Sequence, residues 1–168
     1  MAATWDAYLT VEGVKGESRR AGHEEEIEII SFSFGASNPS SIGVGVGGGI
    51  GAVDIHAFSF EKYTDAASAE MFKACCQGNH FPTAKVTLYK AGGEGGPVDY
   101  LIFEFEEVYV DNIQWVGTQS NDDPMSGIPK ERVSFSFGKV VVTYNQQDLQ
   151  GAKSGSFMGS WDIRSGTA

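Results

Sequence analysis

Three histidines (His23, His56, His80) and two cysteines (Cys75, Cys76) are the residues of this chain best suited to nucleophilic or metal chemistry. Their spacing serves neither. No histidine stands at metal-ligand spacing from a cysteine or from another histidine. The cysteines are sequence neighbours, which rarely bridge each other, so they make no disulfide framework. A cysteine nucleophile needs a positioned base; His80 is near in sequence, but nothing fixes that geometry. No serine lies in a G-x-S-x-G setting. The acidic clusters Glu24–Glu25–Glu26–Glu28 and Glu104–Glu106–Glu107 offer the paired carboxylates that glycoside hydrolysis uses. Glu104 and Glu106 nevertheless alternate with Phe103 and Phe105, as the solvated side of a strand does. Gly43, Gly45 and Gly48 fit a GxGxxG spacing, but the segment that follows, Val53 to Phe60, reads as strand. A pyrophosphate site needs a helix N-terminus there. The pattern points away from an enzyme and calls for no cofactor and no metal.

The serines are more telling. Ser31-Phe32-Ser33-Phe34-Gly35 recurs as Ser134-Phe135-Ser136-Phe137-Gly138. Side chains of a strand point alternately to its two faces, so each copy sends aromatics one way and small hydroxyls the other. Aromatics fill a core. A smooth, polar, uncharged surface of serines suits either plain solvent exposure or the lining of a pore.

The strands that position these residues change phase partway. Apolar positions run Ile27, Ile29 and then Ile30, Phe32, Phe34; Val53, Ile55 and then Phe58, Phe60; Leu101, Phe103, Phe105 and then Val108, Val110; Val133, Phe135, Phe137 and then Val140, Val142, Tyr144. One core cannot accept both phases without a bulge, a bend or a crossing between sheets. Gly138 sits at one switch, where a kink costs little. Long bent strands of this kind predict a mainly β chain, a small barrel or tightly curved sandwich. Shorter strands are expected at Ala7 to Val11, at Lys85 to Lys90 and at Phe157 to Ile163, the last with Phe157, Trp161 and Ile163 on one face. One helix is expected over Ala66 to Gln77, capped by Asp65 or Thr64 and stopped at Gly78, with Ala67, Met71, Ala74 and Cys75 inward. A single helix cannot supply the crossovers of a parallel α/β fold. Ala36 to Ala52 reads as a long glycine-rich loop whose Ile42, Val44, Val46 and Ile50 would gain from a partner surface.

With 168 residues, the chain is expected to form one domain, 1–168. A net charge of −10 opposes binding to nucleic acid or to an anionic membrane. Met1 to Thr10 has no basic start and no apolar run, and no stretch approaches a membrane span, so cytoplasmic folding is expected.

Taken in order, GVKGES (Gly13 to Ser18), His23 with Glu26 and Ile27, SFSFG (Ser31 to Gly35), the glycine-rich loop, FSFEKYTD (Phe58 to Asp65), HFPTAKVTLYKAGG (His80 to Gly93), YLIFEFEEVYV (Tyr100 to Val110), ERVSFSFGKVVVTY (Glu131 to Tyr144) and GSWDI (Gly159 to Ile163) closely resemble the haemolysin-coregulated proteins of bacterial type VI secretion machines. The resemblance spans nearly the whole chain. It implies a β-barrel of two curved antiparallel sheets with one flanking helix and a long projecting loop. It also implies hexameric rings that stack into a hollow inner tube within a contractile sheath, tipped by a valine-glycine-repeat spike protein and able to carry small effector proteins. Such a tube assembles in the cytoplasm and is exported by the machine without a signal peptide or insertion into a membrane. Carried over by residue, Ser31 and Ser33 would face the lumen. Ile42, Gly43, Val44, Gly45, Val46, Gly47, Gly48, Gly49 and Ile50 would form the loop that contacts a neighbouring subunit or ring. The resemblance assigns no role to Gly117 to Pro129 or to the tail after Gly151. The alternative reading is a monomeric β-sandwich that binds carbohydrate through Trp115 and Tyr109.

Overall fold

A computed structural model describes residues 5–39, 52–90, 96–117, 119, 122, 125 and 127–168. The expected loop residues 42–50 lie outside the described residues. Among the described residues, ten strands and one helix follow in the order β1 (Asp6–Val11), β2 (Ile27–Glu28), β3 (Ser31–Ser33), β4 (Ala36–Ser37), β5 (Asp54–Ile55), β6 (Phe58–Tyr63), α1 (Ala67–Gln77), β7 (His80–Lys90), β8 (Val98–Val116), β9 (Lys130–Gln147) and β10 (Lys153–Asp162). Among the described residues, no helix is long and apolar enough to cross a membrane.

Every strand pairing is antiparallel. The main sheet runs β2-β1-β7-β8-β9-β6-β3, with β10 added to the far half of β9, and β4–β5 forms a separate two-stranded ladder. The strands at the two ends of that path, β2 and β3, are separated in the chain by only Ile29 and Ile30. The Ile29 N–H donates to the Ala7 carbonyl of β1, and the Ile30 N–H donates to the Glu61 carbonyl of β6. Two adjacent residues thus bond to opposite ends of the sheet, which is possible only if the sheet curls until its ends approach. This is the first phase switch read from the sequence. Ile30, grouped there with the inward phenylalanines, is instead 38% exposed, because it is the crossing residue. The second switch, between Ile55 and Phe58, takes the chain from the small ladder to the main sheet.

The other two switches stand opposite each other. Phe105 pairs Val140 and Val108 pairs Phe137, and all four side chains are buried. Between them lie Glu107, at φ 56°, and Gly138. On the other side of Glu107, the register holds from Phe81–Val108 to Thr83–Glu106, which places Pro82, with no N–H to donate, opposite the same residue. A line of irregularity therefore crosses three strands, and the sheet bends along it. A Cβ on Gly138 would stand 2.8 Å from Glu107 Oε2 and 3.1 Å from Arg164 Nε. The C-terminal turn fastens there: the Ile163 N–H donates to the Gly138 carbonyl (2.8 Å), and Arg164 Nη1 bonds Glu107 Oε2 (2.8 Å).

Inside the curl, Phe58, Phe60, Phe103, Phe105, Phe135 and Phe137 are buried, with Phe32 and Phe34 packed against them. Phe58 lies 5.2 Å from Phe135 and 5.3 Å from Phe105, within the range of favourable ring pairing. Helix α1 covers one end of this core with Ala67, Met71 and Ala74, as expected. Its stop is also as expected, Gly78 being left-handed at φ 67°. At its start, the helix N-cap is Ala66, and the Asp65 carboxylate accepts from the Ala67 N–H at 3.0 Å. Two further expectations are adjusted. Strand β7 begins at His80 rather than Lys85. Of the expected inward face of the last strand, Trp161 packs on the core, while Phe157 and Ile163 are 61% and 43% exposed.

Candidate functional site

Strands β3, β6, the first half of β9 and the end of β8 present one face away from the core, and their registers align its side chains in rows. Ser33 pairs Ser59, Ser59 pairs Ser134 and Ser134 pairs Asn112; one step along, Ser31, Glu61, Arg132 and Gln114 stand in line. These eight residues line a shallow trough of about 360 Å³. Alternation explains the row: the neighbours Phe32, Phe58, Phe60, Val133 and Phe135 all point into the core or pack against it. A bulge in β8 between Val110 and Asn112 restores the phase, so that Asn112 and Gln114 join this face while Ile113 packs on the core.

The side chains that stand up from the trough are polar, and their charge is internally balanced. Arg132 Nε donates to Glu61 Oε1 at 2.8 Å, and the Ser31 hydroxyl donates to Glu61 Oε2 at 3.3 Å. The other side chains that stand in the two rows carry hydroxyls and amides, and Phe32, Phe60 and Val133 complete the lining between them. Ser136 continues the serine face and donates to Asp111 at 2.8 Å. Such a wall can hydrogen-bond weakly to many polar surfaces and repels none strongly. The structure thus brings Ser31 and Ser33 together on one face with Ser134 of the internal echo. Ser59, Asn112, Gln114 and the Glu61–Arg132 pair were not singled out from the sequence. The signal for Ser59 was its place between Phe58 and Phe60; the other residues needed the register.

Helix α1 lies on the opposite side of this wall. Trp115 alternates with Gln114 and so leaves the trough, and its ring meets Phe72 of α1 at 5.6 Å, edge to face. Tyr109 and Trp115 therefore project from opposite faces of β8, since Tyr109 stands between the buried Val108 and Val110 and the bulge follows. They cannot line one carbohydrate groove. The acidic clusters are engaged locally: Glu25 with Lys15, Glu26 with His23, Glu28 with Ser18, Glu106 with Lys139, and Glu107 with Arg164. Among the described residues, no group of three or more His, Cys, Asp or Glu is arranged to hold a metal ion.

One polar cluster is buried. Lys62 and Glu131 are cross-strand partners on the core side, and neither is exposed. Lys62 Nζ donates to Asp65 Oδ1 (2.7 Å), Ser68 Oγ (3.0 Å) and the Tyr63 carbonyl (3.1 Å). Glu131 Oε2 lies 2.7 Å from the same ammonium as an ion contact without hydrogen-bond geometry, and Oε1 has no hydrogen-bond partner. This cluster ties the start of α1 to the sheet and lies on the opposite face from the trough, one residue along from Glu61 and Arg132.

A family model described as "Type VI secretion system effector, Hcp" matches residues 8–144. Protein hcp1 of Pseudomonas aeruginosa is 38% identical over 160 residues, covering 95% of each chain. Among solved structures, one titled as a type six secretion system protein superposes with a TM-score of 0.87 at 27% identity, covering 97% of this chain and 98% of the other. Hcp1 from Salmonella typhimurium gives a TM-score of 0.73 at 27% identity, covering 98% and 99%.

Proposed function

Because this chain belongs to the Hcp family of type VI secretion systems, we propose that copies of it join edge to edge into hexameric rings, which stack into the hollow inner tube of the secretion machine. The family is one of secreted structural tube proteins and not of enzymes. The observation that carries the proposal is the four-stranded serine wall with an open edge on each side. Among the described residues, β3 pairs only β6, and the Asn112 to Val116 stretch of β8 pairs only β9. An unpaired strand edge is a template for another chain. Joining the β8 edge of one copy to the β3 edge of the next is a head-to-tail contact, and it closes into a ring at a fixed rotation.

The dimensions support this reading. At about 4.8 Å between strands, four strands advance about 19 Å, and six copies close a circle roughly 37 Å across. That is a channel wide enough for a small folded protein. With the wall inward, Ser31 and Ser33 line the lumen, and small effector proteins travel against neutral hydroxyls and amides. Helix α1 then faces outward, toward the contractile sheath. Residues 1–168 act as one tube-subunit domain, Ile42 to Ile50 act as the loop that reaches a neighbouring copy, and a spike protein caps the tube. The assembly forms in the cytoplasm and is delivered outside when the sheath contracts. Native mass measurement tests this: the expected species is six times the 18.0 kDa subunit or a multiple of that hexamer. A particle of single-subunit mass at high concentration would end the proposal.

A further inference from the structure

The Phe–Ser alternation that builds the wall does not by itself align β6 with β9. In the observed register, Phe58 pairs Phe135, Ser59 pairs Ser134 and Phe60 pairs Val133. Sliding β6 by two residues would pair Phe58 with Phe137, Ser59 with Ser136 and Phe60 with Phe135. A shift of two keeps every side chain on its own face. It also sets aromatic opposite aromatic twice, so on this pattern the slid alignment is at least as good as the observed one. The charged residues break the tie. In the observed register, Lys62 meets Glu131 on the core side at 2.7 Å, and Glu61 meets Arg132 on the wall side at 2.8 Å. The slid register would put Lys62 opposite Val133 and Glu61 opposite Ser134. Lys62 and Glu131, both fully buried, would then face the core without each other, which is costly for any buried charge. The bonds from Thr64 to the Pro129 carbonyl follow the register rather than choose it, since a slid Thr64 would meet the carbonyl of Glu131 instead.

We propose that these two back-to-back ion pairs are a register lock, selecting one of two alignments that the aromatic and hydroxyl pattern leaves open. The four charges are sequence neighbours, Glu61-Lys62 on β6 and Glu131-Arg132 on β9, and strand alternation sends one pair to each face. β6 presents its acid to the wall and its base to the core; β9 does the reverse. Between the two alignments, only the observed one sets opposite charges against each other on both faces. The lock also gives the buried pair a role that stability does not supply, because apolar residues of similar volume can replace a buried ion pair with little loss. Its consequence reaches the edge of the sheet. β3 is paired to β6, so a slide of β6 would carry β3 with it by about 7 Å, at about 3.4 Å per residue. On the ring reading above, the lock keeps level the two edges that join; the lock itself does not depend on that reading.

Disulfide trapping in the Cys75→Ser/Cys76→Ser chain reads the register directly. Directly opposite residues lie within the span of a disulfide, whereas a residue displaced by two stands beyond the limit of about 7 Å between Cα atoms. Ser59→Cys with Ser134→Cys reports the observed register, and Ser59→Cys with Ser136→Cys reports the slid one. With the four charges in place, mild oxidation is expected to consume the thiols of the first pair and leave those of the second free. With Glu61→Gln, Lys62→Met, Glu131→Leu and Arg132→Gln added, the thiols of both pairs are expected to be lost. A further background moves the charges without changing composition, through Glu131→Val, Arg132→Ser, Val133→Glu and Ser134→Arg. There the ion pairs favour the slid register, and the second cysteine pair is expected to close. Closure of the second pair with the native charges intact would overturn the inference. So would a second pair that stays reduced in every altered background that folds by circular dichroism. Failure of both altered chains to fold would overturn it as well, because the lock leaves each of them a folded alignment.

Discussion

At the scale of single residues, Lys62 is the most consequential charge in the molecule. It is fully buried among Asp65, Ser68, Glu131 and the Tyr63 carbonyl. Removing one partner of a buried ion pair leaves the other uncompensated, at a typical cost of about 3–5 kcal/mol. Lys62→Met should therefore lower the unfolding free energy obtained from urea titration by that amount, and adding Glu131→Leu should recover much of the loss. A near-neutral single variant would contradict the account. Gly16 makes a second residue-scale prediction. Any Cβ there would collide with the Glu26 carbonyl oxygen, a backbone atom that cannot swing aside. At Gly138, by contrast, the Cβ would meet the ends of the Glu107 and Arg164 side chains. Gly16→Ala should thus be the more destabilising of the two, as measured by thermal melting.

At the scale of elements, the C-terminal turn is a latch on the bend of the sheet. The hydrogen bond from Arg164, with the Ser165 and Arg164 backbone N–H groups, holds the Asp162 carboxyl below its usual range. A carboxyl depressed in the folded state stabilises above its unfolded value, about 3.9, and loses that contribution as pH falls through the folded one. Carboxypeptidase should therefore trim the tail faster once the pH drops below about 4, and Arg164→Ala should give fast trimming already at neutral pH. Unchanged trimming in that variant would remove the latch. The bend itself was half legible in the sequence. The jump from Phe137 to Val140 marked a switch at Gly138, because a period of two tolerates no skipped residue without a break. That Glu107 takes the left-handed conformation and that Pro82 lies beside it depended on which strands become neighbours, which spacing does not reveal. The helix and its glycine stop were legible because caps are local. The burial of Lys62 and Glu131 was not, because a charged residue in a strand gives no sign of an inward partner until the register is known. The serine face was legible in Ser31, Ser33 and the echo at Ser134, but its extension to Asn112 and Gln114 waited on the bulge in β8.

At the scale of the whole molecule, the net charge of −10 per chain would be multiplied around the proposed ring. Repulsion between stacked rings is screened over about 10 Å at 0.1 M salt. Raising the salt should promote stacking, as followed by sedimentation, and tubes that dissolve with added salt would count against this. Removing Val44 to Gly49 should leave the fold intact and weaken assembly, since the aromatic core lies elsewhere. The central claim is that the wall of β3, β6, β9 and β8 faces a hollow axis. An electron-microscopic reconstruction of the purified protein tests it most directly. The account predicts a sixfold annulus with an opening of roughly 37 Å, Ser33, Ser59 and Ser134 on its inner surface, and α1 outside. An annulus with α1 lining the opening, or a field of solitary particles, would contradict it.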